Sequence, residues 1–237
     1  MRFKRYYTAF RRYNRSRGFG IHSPFAFHFV TSVLGERSPF YAYDIIDALR
    51  HEAATAARAM HRRHPRMISV KNARMLHRVA CACCPDAMMQ IGVHYGVSTA
   101  AVMEYDSRLK GVVYSPSNPY QEVFARVTTG YAARLDITQS LADAMAKFRA
   151  LTPSRPMLMI NHVDKSDTDS VAELASDCVK AGGIIVMRHL GSGASRTSGL
   201  WHRLLEGMQH GMSFTNGNIG FIVAYPYLPK QHFPLWF

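Results

Sequence analysis

From residue 87 to residue 225 the chain alternates short apolar runs with amphipathic stretches, and this alternation constrains the fold more than any other feature. Runs at 87–91, 111–115, 157–160 and 183–187 have the length and the Val, Ile and Met content of buried strands, and 134–137 reads as a further short strand. Between and after them 97–107, the stretch opening at Asn118-Pro119, 139–150, 170–180 and 198–210 read as helices. Two final strands, 213–215 and 219–225, have no helix between them, and Asn216-Gly217 is a strong hairpin turn. Strands alternating with helices predict a Rossmann-like, doubly wound α/β fold. Its mostly parallel sheet is covered on both faces and closed by a C-terminal antiparallel hairpin. This domain is expected over 85–237. Ahead of it, 1–84 reads as a basic helical extension. Ser23 caps and Pro24 opens a helix that reaches Leu34 before Gly35. A second helix covers 43–62 and breaks at Pro65, and a third, 72–84, stops before Pro85.

Charge is concentrated in that extension. The formal net charge is +13, yet residues 1–80 carry 16 Lys/Arg against 4 Asp/Glu, while 81–237 carry 13 against 12. The first 35 residues contain no acid. Such a segment is drawn to phosphate, so nucleic acid or another polyanion is the expected partner of residues 1–80; the plainer reading is a solvated basic face. Phe3, Tyr6, Tyr7 and Phe10 fall at helical spacing and are expected to dock as one face on the domain. Aromatics interleaved with arginine also suit base stacking. A hydrophobic content of 48% excludes a disordered chain. No apolar run follows the N-terminal charges and no stretch of about 18 apolar residues occurs, so neither a secretory leader nor a membrane span is expected, and the cytoplasm is the expected location. Cys81-x-x-Cys84 has metal or redox spacing. With no second pair and a helical position, these thiols are expected to be small buried side chains.

The first strand of the domain ends in Gln90-Ile91-Gly92-Val93-His94-Tyr95-Gly96-Val97-Ser98. Strand, glycine turn and helix start together form a nucleoside-binding crossing, in which glycines let a ligand approach the backbone. The dinucleotide fingerprint would need glycine at 94 and 97, where His94 and Val97 stand, so NAD(P) is disfavoured. A Gly-x-x-x-Gly turn also arises for packing alone.

The stretch 90–98 resembles the Glu-x-Gly-x-x-x-Gly-x-Ser turn of catechol- and caffeoyl-type O-methyltransferases. Gly18-Phe19-Gly20-Ile21-His22-Ser23-Pro24-Phe25 and Lys230-Gln231-His232-Phe233 resemble the two ends of a bacterial branch of class I methyltransferases. The resemblance runs from about residue 17 to residue 237. It implies S-adenosylmethionine as cofactor, held by Gln90, Gly92, His94, Gly96, Ser98, Ser115 and Asn161. The departures fall on carboxylates. Gln90 opens the turn where the family has an acid. Tyr114-Ser115-Pro116-Ser117-Asn118 lacks the acid that holds the ribose. Asn161 replaces an Asp at the end of strand four, and Arg188-His189 replaces an acidic pair at the end of strand five. A neutral amide or hydroxyl binds vicinal hydroxyls more weakly than a carboxylate, and a hard cation needs several oxygen ligands, so no metal site is expected. Arg188, Ser115 and Ser117 are in turn suited to a phosphate.

At the carboxyl ends of adjacent strands, His162 and His189 are the candidate general bases; imidazole ordinarily titrates near neutral pH. The plainer reading makes them polar loop residues. Trp201 is expected in the core, Asp164 at a helix cap, and the tail around His232 against His22 and Phe25. Two functions remain open on these residues. One is a metal-independent, S-adenosylmethionine-dependent methyltransferase-like protein of unknown acceptor. The other is a catalytically degenerate relative that binds nucleic acid or another polyanion.

Overall fold

A computed structural model describes residues 10–60, 67–191 and 196–237. The expectations for Phe3, Tyr6, Tyr7, Arg62 and Pro65 lie outside these residues. Eight strands form one sheet in the order β3-β2-β1-β4-β5-β7-β6-β8. They are β1 Ala87–Ile91, β2 Lys110–Tyr114, β3 Leu135–Thr138, β4 Pro156–Ile160, β5 Ile184–Arg188, β6 Met212–Thr215, β7 Ile219–Val223 and β8 Gln231–Pro234. The fold is the doubly wound, mostly parallel α/β arrangement expected from the alternation.

Contacts gather the chain into two compact units, 38–162 and 1–37 with 163–237. In the first, β1 pairs in parallel with β2 and with β4, and β2 with β3. All five residues of both β1 and β4 are buried, which is why these strands read as continuous apolar runs rather than alternating ones. Helices α2 (Ala42–Ala59), α3 (Val70–Cys83), α4 (Val97–Met103), α5 (Gln121–Thr128) and α6 (Leu141–Ala150) belong to the same unit. The N-caps Ser69 and Ser140 accept from the amides of Asn72 and Asp143.

Within this unit α2 and α3 both lie against α4. Three of the cations here have partners nearby: Arg74 pairs with Asp47, Arg78 donates to the Tyr43 hydroxyl and Arg50 to the Ile68 carbonyl, while Glu52 pairs with Arg126. The stretch without any acid is the earlier one, residues 1–35.

In the second unit Ser23 caps α1 (Pro24–His28), which continues as a π-helical turn, Phe29–Leu34. Helices α7 (Thr168–Lys180) and α8 (Arg196–Gly207) pack against each other and on β5. The expected hairpin is present: β6 and β7 are antiparallel, and β7 is antiparallel to β5. Asn216 accepts the amides of Asn218 and Ile219 on its side-chain oxygen and so closes the turn. Trp201 is 4% exposed, as expected. The tail forms an additional strand, β8, parallel to β6. Its link to α1 runs through β6: Phe233 stacks on Phe214, and Phe214 packs on Phe29. Phe25 meets Tyr225 instead. Asp164 precedes a 3-10 turn, Lys165–Asp167, and makes no side-chain cap there.

Candidate functional site

Strand β1 has β2 on one side and β4 on the other. The crossovers that follow it therefore diverge, and such a switch point opens a crevice at the carboxyl ends of the strands. The glycine turn after β1 and Asn161 after β4 both lie there. The Asn161 amide donates to the Ile91 carbonyl at 2.9 Å, and its side-chain Nδ2 donates to the Gly92 carbonyl at 3.0 Å.

Both glycines are required by the chain's own geometry. Gly92 has φ +76°, and a Cβ there would stand 2.9 Å from both the backbone nitrogen and the carbonyl oxygen of His162. Gly96 has φ +84°, and its Cβ would meet Thr128 at 3.1 Å and Phe124 at 3.2 Å. The turn thus comes within contact distance of the β4 end before any ligand is considered.

Gln90 is 0% exposed. Its Nε2 donates to the Gly92 carbonyl at 3.3 Å and to Ser98 Oγ at 3.4 Å, and its Oε1 accepts from the Thr99 hydroxyl at 2.8 Å. Gln90 and the buried Ser98 therefore brace the turn from beneath, joining strand to helix. A carboxylate could accept from the Thr99 and Ser98 hydroxyls but could not donate to the Gly92 carbonyl, a bond that only the amide makes.

Asn161 is 4% exposed, and its Oδ1 is buried without a hydrogen-bond partner among the described residues. Leaving such an acceptor unmatched costs about 1–3 kcal/mol. An orphan of this kind beside a glycine turn at a switch point calls for a donor from a ligand or water.

His94 is exposed at the rim. Its ring stacks on Tyr120 with centroids 6.0 Å apart, and its carbonyl accepts from Asn118 Nδ2 at 2.9 Å. Tyr95 packs on Tyr120 at 4.4 Å. Asn118 and Tyr120 thus tie the loop after β2 to the glycine turn, a role the sequence reading missed. Asn118-Pro119 looked like a helix start. The helix begins instead at Gln121, and Asn118 Oδ1 accepts the Tyr120 amide two residues on. Ser115 is half-buried, and its amide continues the β2–β3 ladder to the Thr138 carbonyl at 2.9 Å.

The two candidate bases differ in setting. His162 is an exposed residue whose backbone walls the Gly92 turn. His189, also exposed, sits at φ +62°, and its carbonyl accepts from the Thr197 hydroxyl at 3.3 Å. Left-handed backbone in a residue with a Cβ costs about 1–2 kcal/mol. Beside it Arg188, half-buried at the end of β5, has no hydrogen bond or ion pair among the described residues, and burial draws its guanidinium down to about 10.

The thiol cluster lies elsewhere. Cys81 Sγ is 3.4 Å from Nε2 of the buried His77, and burial pushes this thiol up to about 11. A thiol so shifted is a poor nucleophile at neutral pH. Among the described residues no three or more His, Cys, Asp or Glu side chains converge on a point that could hold a metal ion, and no helix is long and apolar enough to cross a membrane.

No family model matches the sequence, and no curated protein matches it. Solved structures do match the fold. An O-methyltransferase from Bacillus cereus in complex with SAH is 15% identical, covering 83% of this chain and 96% of that one, with a TM-score of 0.56. The O-methyltransferase TomG from Streptomyces achromogenes, in complex with SAM, is 17% identical over 90% of this chain and 96% of its own, at 0.53. An SAH-bound methyltransferase from Podospora anserina is 14% identical over 79% and 98%, also at 0.53. At such identities the likeness establishes the fold: this chain has the architecture of class I O-methyltransferases over most of its length.

Proposed function

We propose that this protein is a methyltransferase-like protein that takes S-adenosylmethionine as its cofactor at the β1–β4 switch point and works without a metal. The observation that carries the reading is the buried, unpartnered Oδ1 of Asn161 beside the braced glycine turn, in a fold whose solved neighbours hold SAM or SAH. The residues fit the group in part. Asn161 offers an acceptor to its amino group, and Ser115 and Asn118 at the end of β2 offer neutral partners to the ribose. His94 and Tyr120 form an aromatic rim. When bound, the cofactor supplies an electrophilic methyl group. The chain's share is to position an acceptor and take up its proton, for which His162, next to Asn161, is the candidate within the unit 38–162 and His189 the candidate in the other.

A second reading is favoured by the missing carboxylates at the ends of β1, β2, β4 and β5. In this reading the fold is retained as a binding module for nucleic acid or another polyanion through the basic N-terminal region. Titration of the whole chain with SAM and SAH by calorimetry separates the two. Micromolar binding, weakened about tenfold or more in Asn161→Ala, supports the first. No heat at millimolar ligand excludes it and leaves the second, which then requires salt-sensitive binding to a polyanion.

A further inference from the structure

Residues 10–37 and 163–237 form the unit that carries an aromatic surface the proposed chemistry does not use. Phe10, Tyr13, Phe19, Phe27 and Trp236 are 61%, 44%, 68%, 48% and 63% exposed. Rings so open are costly in water unless they meet something. Several of them gather around one turn. Gly18 and Gly20 hold it with φ of +87° and +70°, and the Phe19 amide donates back to the Asn14 carbonyl. Phe27 lies directly on Gly18, where a Cβ would fall 2.4 Å from its ring. The Trp236 amide donates to Ser16 Oγ at 2.6 Å, which fixes the tail beside the same turn. Arg17 stacks on Tyr13 at 4.6 Å.

Charge on these segments has one sign. Residues 10–35 contain Arg11, Arg12, Arg15 and Arg17 and no acidic side chain, and residues 225–237 contain Lys230 and none. Protruding Phe and Trp combined with arginine suit either single-stranded nucleic acid or the headgroup layer of an anionic membrane. One face of Tyr13 is already covered by the Arg17 guanidinium, which weakens it as a base-stacking platform. Phe19 and Trp236 protrude beside arginines, the combination that enters the interface of an anionic bilayer.

We propose that this surface seats the protein on an anionic lipid bilayer. Phe19 and Trp236 enter the headgroup layer, and the arginines of 11–17 meet the lipid phosphates. The inference is independent of the cofactor reading. Co-sedimentation of the whole chain with vesicles of equimolar phosphatidylcholine and phosphatidylglycerol tests it, against phosphatidylcholine alone and against single-stranded poly(U). Binding to the mixed vesicles is expected, weaker in high salt and at least about tenfold weaker on phosphatidylcholine alone. Replacing Phe19→Ser and Trp236→Ser together should weaken it roughly tenfold or more with no change in thermal midpoint, since both side chains are solvent-exposed. Trp236 emission should shift to shorter wavelength on the mixed vesicles. Trp236→Phe should abolish the shift, because the remaining Trp201 is buried. Unchanged vesicle affinity in the double variant overturns the proposal. So does preference for poly(U) over the mixed vesicles, which returns the surface to nucleic acid.

Discussion

Gln90→Glu restores the acid that the resemblance expects at the head of the glycine turn, and the structure predicts that it will harm the protein. The wild-type amide sits at 0% exposure and donates to Gly92 O and Ser98 Oγ. A carboxylate of the same shape turns the Gly92 contact into an acceptor–acceptor one, while the hydroxyls of Ser98 and Thr99 can both donate to it. One lost bond at about 1 kcal/mol, with a carbonyl facing a buried charge that only two hydroxyls compensate, sums to on the order of 3 kcal/mol. For a chain of this size that is a drop in thermal midpoint of roughly 6–12 °C. The deficit should depend on pH in a fixed direction. Burial raises the new carboxyl in the folded state above its unfolded value of about 4.3, so the unfolded chain ionises first as pH rises. The deficit is therefore small in acid, grows once pH passes the unfolded value, and levels off above the folded one. Scanning fluorimetry of wild type and variant across pH 4 to 8 measures this. A variant as stable as wild type at neutral pH, or one that binds S-adenosylmethionine more tightly with no loss of stability, would refute the bracing role.

Three further outcomes follow from packing and charge. Gly220→Ala places a Cβ 2.6 Å from the Trp201 ring and 2.9 Å from Leu190, so the urea midpoint should fall by the equivalent of about 1–3 kcal/mol; no change would mean the ring can move aside. Arg188 has its folded value drawn to about 10, below its ordinary one, so carrying the charge costs stability at neutral pH and the cost eases only as pH climbs through 10. Arg188→Met should raise the thermal midpoint while weakening binding of inorganic phosphate, and a lowered midpoint would contradict an unpartnered cation. His232 shares a 2.8 Å hydrogen bond with Ser213, and burial, then Lys230, lowers its pKa. The unfolded chain takes the proton first as pH falls, so this contact stabilises above the ordinary imidazole range and is lost below it. Amide protection at β8, taken relative to intrinsic exchange at each pH, should fall between pH 7.5 and 5.5 in wild type but not in His232→Gln; equal pH dependence in both would assign the effect elsewhere.

The architecture was legible in the local pattern of residues. Buried parallel strands read as apolar runs, and β1 and β4 appear at nearly their true limits, with Gln90 the one polar residue in either. Capping is equally local: Ser23 and Ser140 accept from amides three residues on, so their helix starts were legible. β8 was not, since Gln231–Pro234 is short, polar and at the sheet edge, and only pairing with β6 makes it a strand. The site was half legible. The spacing of Gly92 and Gly96 marks a turn, but the reason for the glycines lies in the His162 backbone and in Phe124 and Thr128, distant in sequence. Gln90 and Ser98 read as ligand contacts, and the folded chain shows in addition that they brace the turn through a bond to each other. Asn161 looked like a lost carboxylate, and only the folded chain shows that one end of its amide is committed to Gly92 while the other is left without a partner. Local periodicity sets which elements form. Where each polar atom finds its partner is decided by residues the chain brings together only when it folds.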